Sequence, residues 1–174
     1  MKETTIDYLE LIKRLVEQHR TIRSQIRQAG QSISDLEAIS DLQKQYEGWV
    51  LSSERELAEK KKNLQTSISS MVDGLNKHFE YEEKSLPPLM GDVLMQALLI
   101  EHRVLRKEMD RSIQVLSELE VQGFSREELL LRKSRMRQVM DSLYQMIEEH
   151  AGKEEMIFSM MQKALEERAK EKAT

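Results

Sequence analysis

Cysteine is absent from this chain of 174 residues. That absence excludes a disulfide framework, a thiolate zinc site, an iron–sulfur cluster and a cysteine nucleophile. Any metal must be held by nitrogen and oxygen. Helix breakers are scarce, with 6 glycines and 2 prolines, and aromatic residues make up only 5%. No run approaches the roughly 18 apolar residues of a membrane span, and the N-terminal MKETTIDYLELIKRL is too acidic and too interrupted for a signal peptide. The net charge of −4 is mild and no long basic block is present, so neither nucleic acid nor a membrane is an expected partner. A cytoplasmic location is expected.

What is present favours helix. Charged residues make up 33% of the chain, and Leu, Ile and Met supply most of the apolar surface. The length suits one domain with a real core. Apolar residues recur three and four apart almost throughout, which predicts an all-α fold of four helices. The first carries Ile6, Leu9, Ile12, Leu15, Ile22 and Ile26 from about residue 5. It is expected to continue through residues 31–47, with a bend at Gly30, because Ile33, Leu36, Ile39 and Leu42 keep helical spacing. A turn at Gly48-Trp49 and a capping box of Ser53 with Glu56 place the start of the second helix near residue 52. Leu51, Leu57, Leu64, Ile68, Met71 and Leu75 lead it toward Pro87-Pro88, which it cannot pass.

The legs from His19 to Glu47 and from Leu51 to His78 are nearly equal, each about 40 Å at 1.5 Å per residue. His19 and His78 should therefore return to one level. Gly91 is expected to open the third helix, with Leu94, Leu98, Leu105, Met109 and Leu116, ending near Gly123. Ser125 with Glu128 caps the fourth, whose stripe is Met136, Val139, Leu143, Ile147, Ile157, Met161 and Leu165. Residues 1–165 make up the bundle domain, and 166–174 a charged tail expected to fray.

Each of the four histidines falls on one of these apolar stripes, one per helix. In the second helix the series runs Leu75, His78, Glu82, Leu86; in the fourth it runs Ile147, His150, Glu154, Ile157. His19 lies between Leu15 and Ile22, and His102 between Leu98 and Leu105. A lone core histidine is usually a satisfied packing residue. Two glutamates on the same stripes are a different matter, because a buried unpaired carboxylate costs several kcal/mol. A metal held by histidine and carboxylate neutralises them. His78 and Glu82 lie one turn apart, about 6 Å, and so reach one site from one helix. Glu83 and Glu155 should rotate toward solvent or a helix interface.

The chain also repeats itself. The first and third helices share His-Arg-x-(Ile/Leu)-Arg, and the second and fourth share His-x-x-x-Glu-Glu. Two half-sites facing one another suggest two metals. None of the four histidines has a glutamate three residues before it, which excludes the Glu-x-x-His pattern of ferritin-like di-iron bundles.

A histidine, then His-x-x-x-Glu, then a histidine, then His-x-x-x-Glu resembles the hemerythrin-like, or HHE cation-binding, domain over nearly the whole chain. The resemblance implies an antiparallel up-down-up-down four-helix bundle, here with an extended hairpin of its first two helices, around a non-haem di-iron centre. It implies that His19 and His78 hold one iron and His102 and His150 the other. Glu82 and Glu154 would bridge them, with an oxo or hydroxo bridge; manganese or zinc could replace iron on purification. Oxygen-carrying members place a further histidine one turn beyond the first on the third helix, where this chain has Arg106. It is similar instead to the four-histidine, two-carboxylate branch.

The expected function is binding, sensing or reacting with a small diatomic ligand such as oxygen or nitric oxide. The alternative is a di-iron peroxidase, oxidase or nitrogen-oxide reductase, with Tyr81 and Tyr144 as redox neighbours, or iron handling. Leu15, Met71, Leu75, Leu98, Leu105, Met146 and Ile147 are expected around the centre. The tip at residues 46–51, with Tyr46 and Trp49, is a candidate for self-association or a protein partner. Ligating imidazoles must be neutral, so acid should release metal as the pH falls through about 6 to 5.

Overall fold

The computed structural model describes residues 2–45, 50–118 and 126–171. Among them, four helices run in chain order: α1 (Lys2–Gln45), α2 (Val50–Ser85), α3 (Pro87–Ser117) and α4 (Arg126–Glu171). Sequence neighbours pack together, and α1 also packs on α4, which closes an up-down-up-down ring. The fold class is all-α, a four-helix bundle.

Helix α1 runs unbroken through Gly30, so the 31–47 stretch is helix as far as Gln45, with no break at the glycine. Helix α2 begins at Val50, and Ser53 therefore lies inside it instead of capping it. The turn at Gly48-Trp49, together with Tyr46, lies outside the described residues, as do the side chains of Ile33, Leu36, Ile39, Leu42, Leu51 and Leu57. Helix α4 starts at the residue after Ser125; the cap itself is outside the described residues. Helix α3 stops at Ser117, short of Gly123.

The tail does not fray at residue 166. It continues as helix to Glu171, supported by Gln162 to Glu166 at 2.9 Å, Lys170 to Glu167 at 3.2 Å, and by Arg168 and Lys170 in the last turn. Side chains three and four apart on a helix meet, and cations favour its C-terminus.

The corner between α2 and α3 is set by two residue types. Leu86 N still donates to Glu82 O at 2.9 Å, and its carbonyl accepts from Leu89 N and Met90 N, both at 2.9 Å. Pro87 takes the first helical position, where no N–H is needed. The helical path then breaks at Gly91 (φ 70°, ψ 173°) before it resumes along α3. That region of backbone space is almost reserved for glycine. No heavy atom lies within 4 Å of where a Cβ would sit, so substitution is limited by the backbone alone. Gly91→Ala should cost about 1–3 kcal/mol in a chemical denaturation experiment; an unchanged midpoint would show that the corner relaxes freely.

The core has two apolar clusters. One contains Ile22, Ile26, Leu64, Met71, Leu105 and Leu143, among others. The other contains Ile12, Leu15, Leu86, Met95, Leu98 and Phe158. The second-helix stripe from Leu64 to Leu86 is buried as the spacing requires, and Ile12, Leu15, Ile22 and Ile26 are buried on α1. Two stripe positions shift by one residue. On α3 the buried residue is Met95, while Leu94 is 40% exposed. On α4 it is Phe158, fully buried, with Ile157 only packed against the cluster edge.

Candidate metal centre

Four stripes that each bury a histidine bring all four imidazoles to one level. His19, His78, His102 and His150 are at most 4% exposed, and Glu82 and Glu154 at most 2%. The equal legs of the α1–α2 hairpin close as counted: His19 Nε2 lies 3.0 Å from His78 Nε2. Glu82 and Glu154 arrive from opposite helices, one turn beyond His78 and His150, at 3.2 and 3.4 Å from the Nε2 atoms of those residues.

Two sets of donors result, each compact enough that its ligand atoms lie within 4.8 Å of one another. One is His19, His78, Glu82 and Glu154; the other is Glu82, His102, His150 and Glu154. Both glutamates belong to both sets. Glu82 Oε1 faces His78, while its Oε2 is 3.3 Å from His102 Nε2. Glu154 Oε2 is 3.1 Å from His19 Nε2 as well as facing His150.

The outward nitrogens explain the tautomers. His19 Nδ1 is 3.2 Å from Glu155 Oε1, His78 Nδ1 is 2.9 Å from Gln18 Oε1, His102 Nδ1 is 2.8 Å from Glu83 Oε1, and His150 Nδ1 is 3.0 Å from Glu101 Oε2. Each partner is an acceptor, so each Nδ1 carries a proton and donates it. In the neutral ring Nε2 then holds a lone pair aimed inward. Those lone pairs face carboxylate oxygens, which also accept only.

Both oxygens of Glu82 and of Glu154, and the Nε2 atoms of His102 and His150, are consequently buried without a hydrogen-bond donor. Their close approaches are contacts between acceptors. A cation among them satisfies all six atoms at once, and this donor set of imidazole nitrogen and carboxylate oxygen suits iron, manganese or zinc.

The protonation pattern reports the same want of positive charge. Burial alone would depress His19, but Glu154 and Glu82 outweigh it and raise the imidazole to about 9. Burial pushes Glu82 up, yet contacts from His102, His19 and His78 hold it well below the usual carboxylate range. At Glu154 burial dominates over His19, and the neighbouring Glu82 adds to it, so that carboxyl is raised. A proton on His19 thus partly replaces a metal in the metal-free chain.

Glu83 and Glu155 do turn to helix interfaces, but they are not bystanders. Besides holding His102 and His19, they meet Arg106 at 2.9 Å and Arg23 at 2.6 Å. For both, burial is outweighed by the arginine and histidine contacts, and the carboxyls are lowered. Arg106 therefore points outward to Glu83, with its guanidinium 5.4 Å from the Phe79 ring. The second arginine of the sequence repeat, Arg23 in one half and Arg106 in the other, thus holds a carboxylate against a histidine in each half.

Two phenylalanines were not legible as neighbours of the centre. Phe79 stacks on His102 at 4.1 Å between ring centroids, and Phe158 lies against His19 at 6.3 Å, each at an interplanar angle of 21°. Both rings are fully buried. Phe79 directly follows a stripe histidine, and Phe158 follows Glu154 by a four-residue step, which was the only available signal. Leu15, Met71, Leu75, Leu98, Leu105 and Ile147 are buried around this level, and Met146 packs against them in part. Tyr144 is 46% exposed and belongs to the surface. Tyr81 packs against the second apolar cluster under the Arg14 guanidinium at 4.7 Å.

Bundle and cluster together define a helical protein with a histidine–carboxylate cation site. The chain belongs to the hemerythrin family: the family model for the hemerythrin HHE cation binding domain matches residues 10–161. No curated protein and no solved structure matches it. Among the described residues, no helix is long and apolar enough to cross a membrane.

Proposed function

We propose that His19, His78, His102, His150, Glu82 and Glu154 hold two iron ions, and that the pair binds, senses or reacts with a small diatomic ligand such as oxygen or nitric oxide. The observation that carries this reading is Glu82, whose two oxygens face histidines of different donor sets. A carboxylate placed in that way could serve both sets. His19 and His78 would hold one ion and His102 and His150 the other, with Glu82 and Glu154 shared between the two sets.

Iron held by this set of imidazole and carboxylate donors would supply redox and Lewis-acid chemistry. This chain's own residues do the rest. Glu155, Gln18, Glu83 and Glu101 fix the rings so that Nε2 points inward. Phe79, Phe158 and the aliphatic side chains on either side exclude bulk water, which favours a small, uncharged ligand over a polar one.

The test is metal analysis of protein purified without added metal, followed by its visible spectrum under oxygen and then nitric oxide. Two irons per chain and a spectrum that changes with each gas are expected. Protein that neither carries iron nor takes up two equivalents of ferrous ion would overturn the reading.

A further inference from the structure

The two donor sets look alike by sequence repeat, but their supporting partners differ. Around His102 and His150 both outward nitrogens meet carboxylates, Glu83 at 2.8 Å and Glu101 at 3.0 Å. Glu101 gives Oε2 to His150 and keeps Oε1 for Lys153 at 2.8 Å, so the oxygen facing the imidazole is not shared.

Around His19 and His78 the support is weaker on both rings. His19 has the longest of the four contacts, 3.2 Å against 2.8 Å for His102. The Glu155 oxygen also takes Arg23 at 2.6 Å, as the Glu83 oxygen on His102 takes Arg106 at 2.9 Å, so these two rings differ in the length of the contact alone. His78 has no carboxylate on Nδ1 in this arrangement. Its partner is the amide oxygen of Gln18, at 2.9 Å. Gln18 directly precedes His19 as Glu101 directly precedes His102, so the two halves differ at one matched position by an amide for a carboxylate. Phe79 adds to the difference: it stacks on His102 and meets His150 edge-on at 5.6 Å between centroids.

A carboxylate accepting from Nδ1–H raises the basicity of the opposite nitrogen, whereas a neutral amide orients the ring with far less effect on its electron density. Resting on the metal-binding reading above, we infer that the two half-sites are inequivalent. The His102/His150 half binds metal more tightly and fills first, and Gln18 is the positioning residue that keeps the His19/His78 half weaker. A centre built in this way holds one firmly bound ion and one that exchanges.

Zinc is a suitable probe because it is diamagnetic and takes the same ligands. Chelator-treated full-length protein, labelled with nitrogen-15, is titrated with zinc chloride while the imidazole Nε2 resonances are followed. The first equivalent should move His102 and His150, and the second His19 and His78. Gln18→Glu should tighten the second step by about 10–100-fold, and Glu101→Gln should weaken the first by a similar factor. All four rings moving together over two equivalents would overturn the inference while leaving the two-metal reading intact. So would a second step unaltered by Gln18→Glu in a folded variant. Fewer than two equivalents bound by the wild-type chain would remove both. The filling order in the wild-type protein decides the matter even where a variant fails to fold.

Discussion

Glu82→Ala should leave the purified chain with well under two metal ions, and Glu154→Ala should do the same. Each carboxylate belongs to both donor sets, so removing either one takes a ligand from both ions. The loss also exposes the remaining donors to one another: four inward-facing imidazole nitrogens with a single carboxylate between them. Glu83→Ala and Glu155→Ala give a graded comparison. Each removes the acceptor from one Nδ1 and leaves all six inward donors in place. Metal affinity should then fall by about 10–100-fold, with two ions still bound at saturation. Metal analysis alongside a helical circular dichroism spectrum reads both effects. Two ions per chain in both Glu82→Ala and Glu154→Ala would remove the bridging assignment.

Chelator-treated protein should stay helical and melt lower than the metal-loaded form, by about 5–10 °C when free metal is a hundredfold above its dissociation constant. The apolar clusters on either side of the centre maintain the helices without it. The buried acceptors of Glu82 and Glu154 are what the metal-free chain lacks partners for.

This gap should widen as the pH is raised. The His19 imidazole stands at about 9 in the folded, metal-free chain against an ordinary value of 6.5. Its protonated form stabilises that chain fully below the ordinary value, and the contribution is lost as the pH rises through about 9. In the metal-loaded chain the ion replaces that proton, so no such loss occurs. By the same linkage, affinity for metal should fall about tenfold per pH unit as the pH drops from 9. Melting curves of both forms at pH 7 and pH 9.5 check the sign. A gap that is constant or narrows at the higher pH would show that His19 is not the proton-bearing group.

Most of the fold follows from periodicity, and most of the site follows from where periodicity is interrupted by the wrong kind of residue. His78 and Glu82 continue an apolar series without a slip, and a carboxylate cannot sit there unpartnered. The near-equal legs around Gly48-Trp49 were enough to bring His19 opposite His78, since helical rise is constant. What the spacing could not provide lay at interfaces between helices. Leu94 against Met95, and Ile157 against Phe158, differ by one position on a helix, and only packing against the neighbours decides which is buried. Glu83 and Glu155 follow stripe residues and look solvated until α3 and α1 place His102 and His19 against them. The tail fails the general expectation that chain ends fray, because its charges pair along the helix as far as Glu171.

The most direct test of the centre is an anomalous difference map from crystals of the iron-loaded protein, with data collected on either side of the iron absorption edge. Two peaks are expected between the four histidines, one beside His19 and His78 and one beside His102 and His150, with Glu82 and Glu154 next to both. A single peak, or iron bound anywhere else while those six side chains stay metal-free, would contradict it.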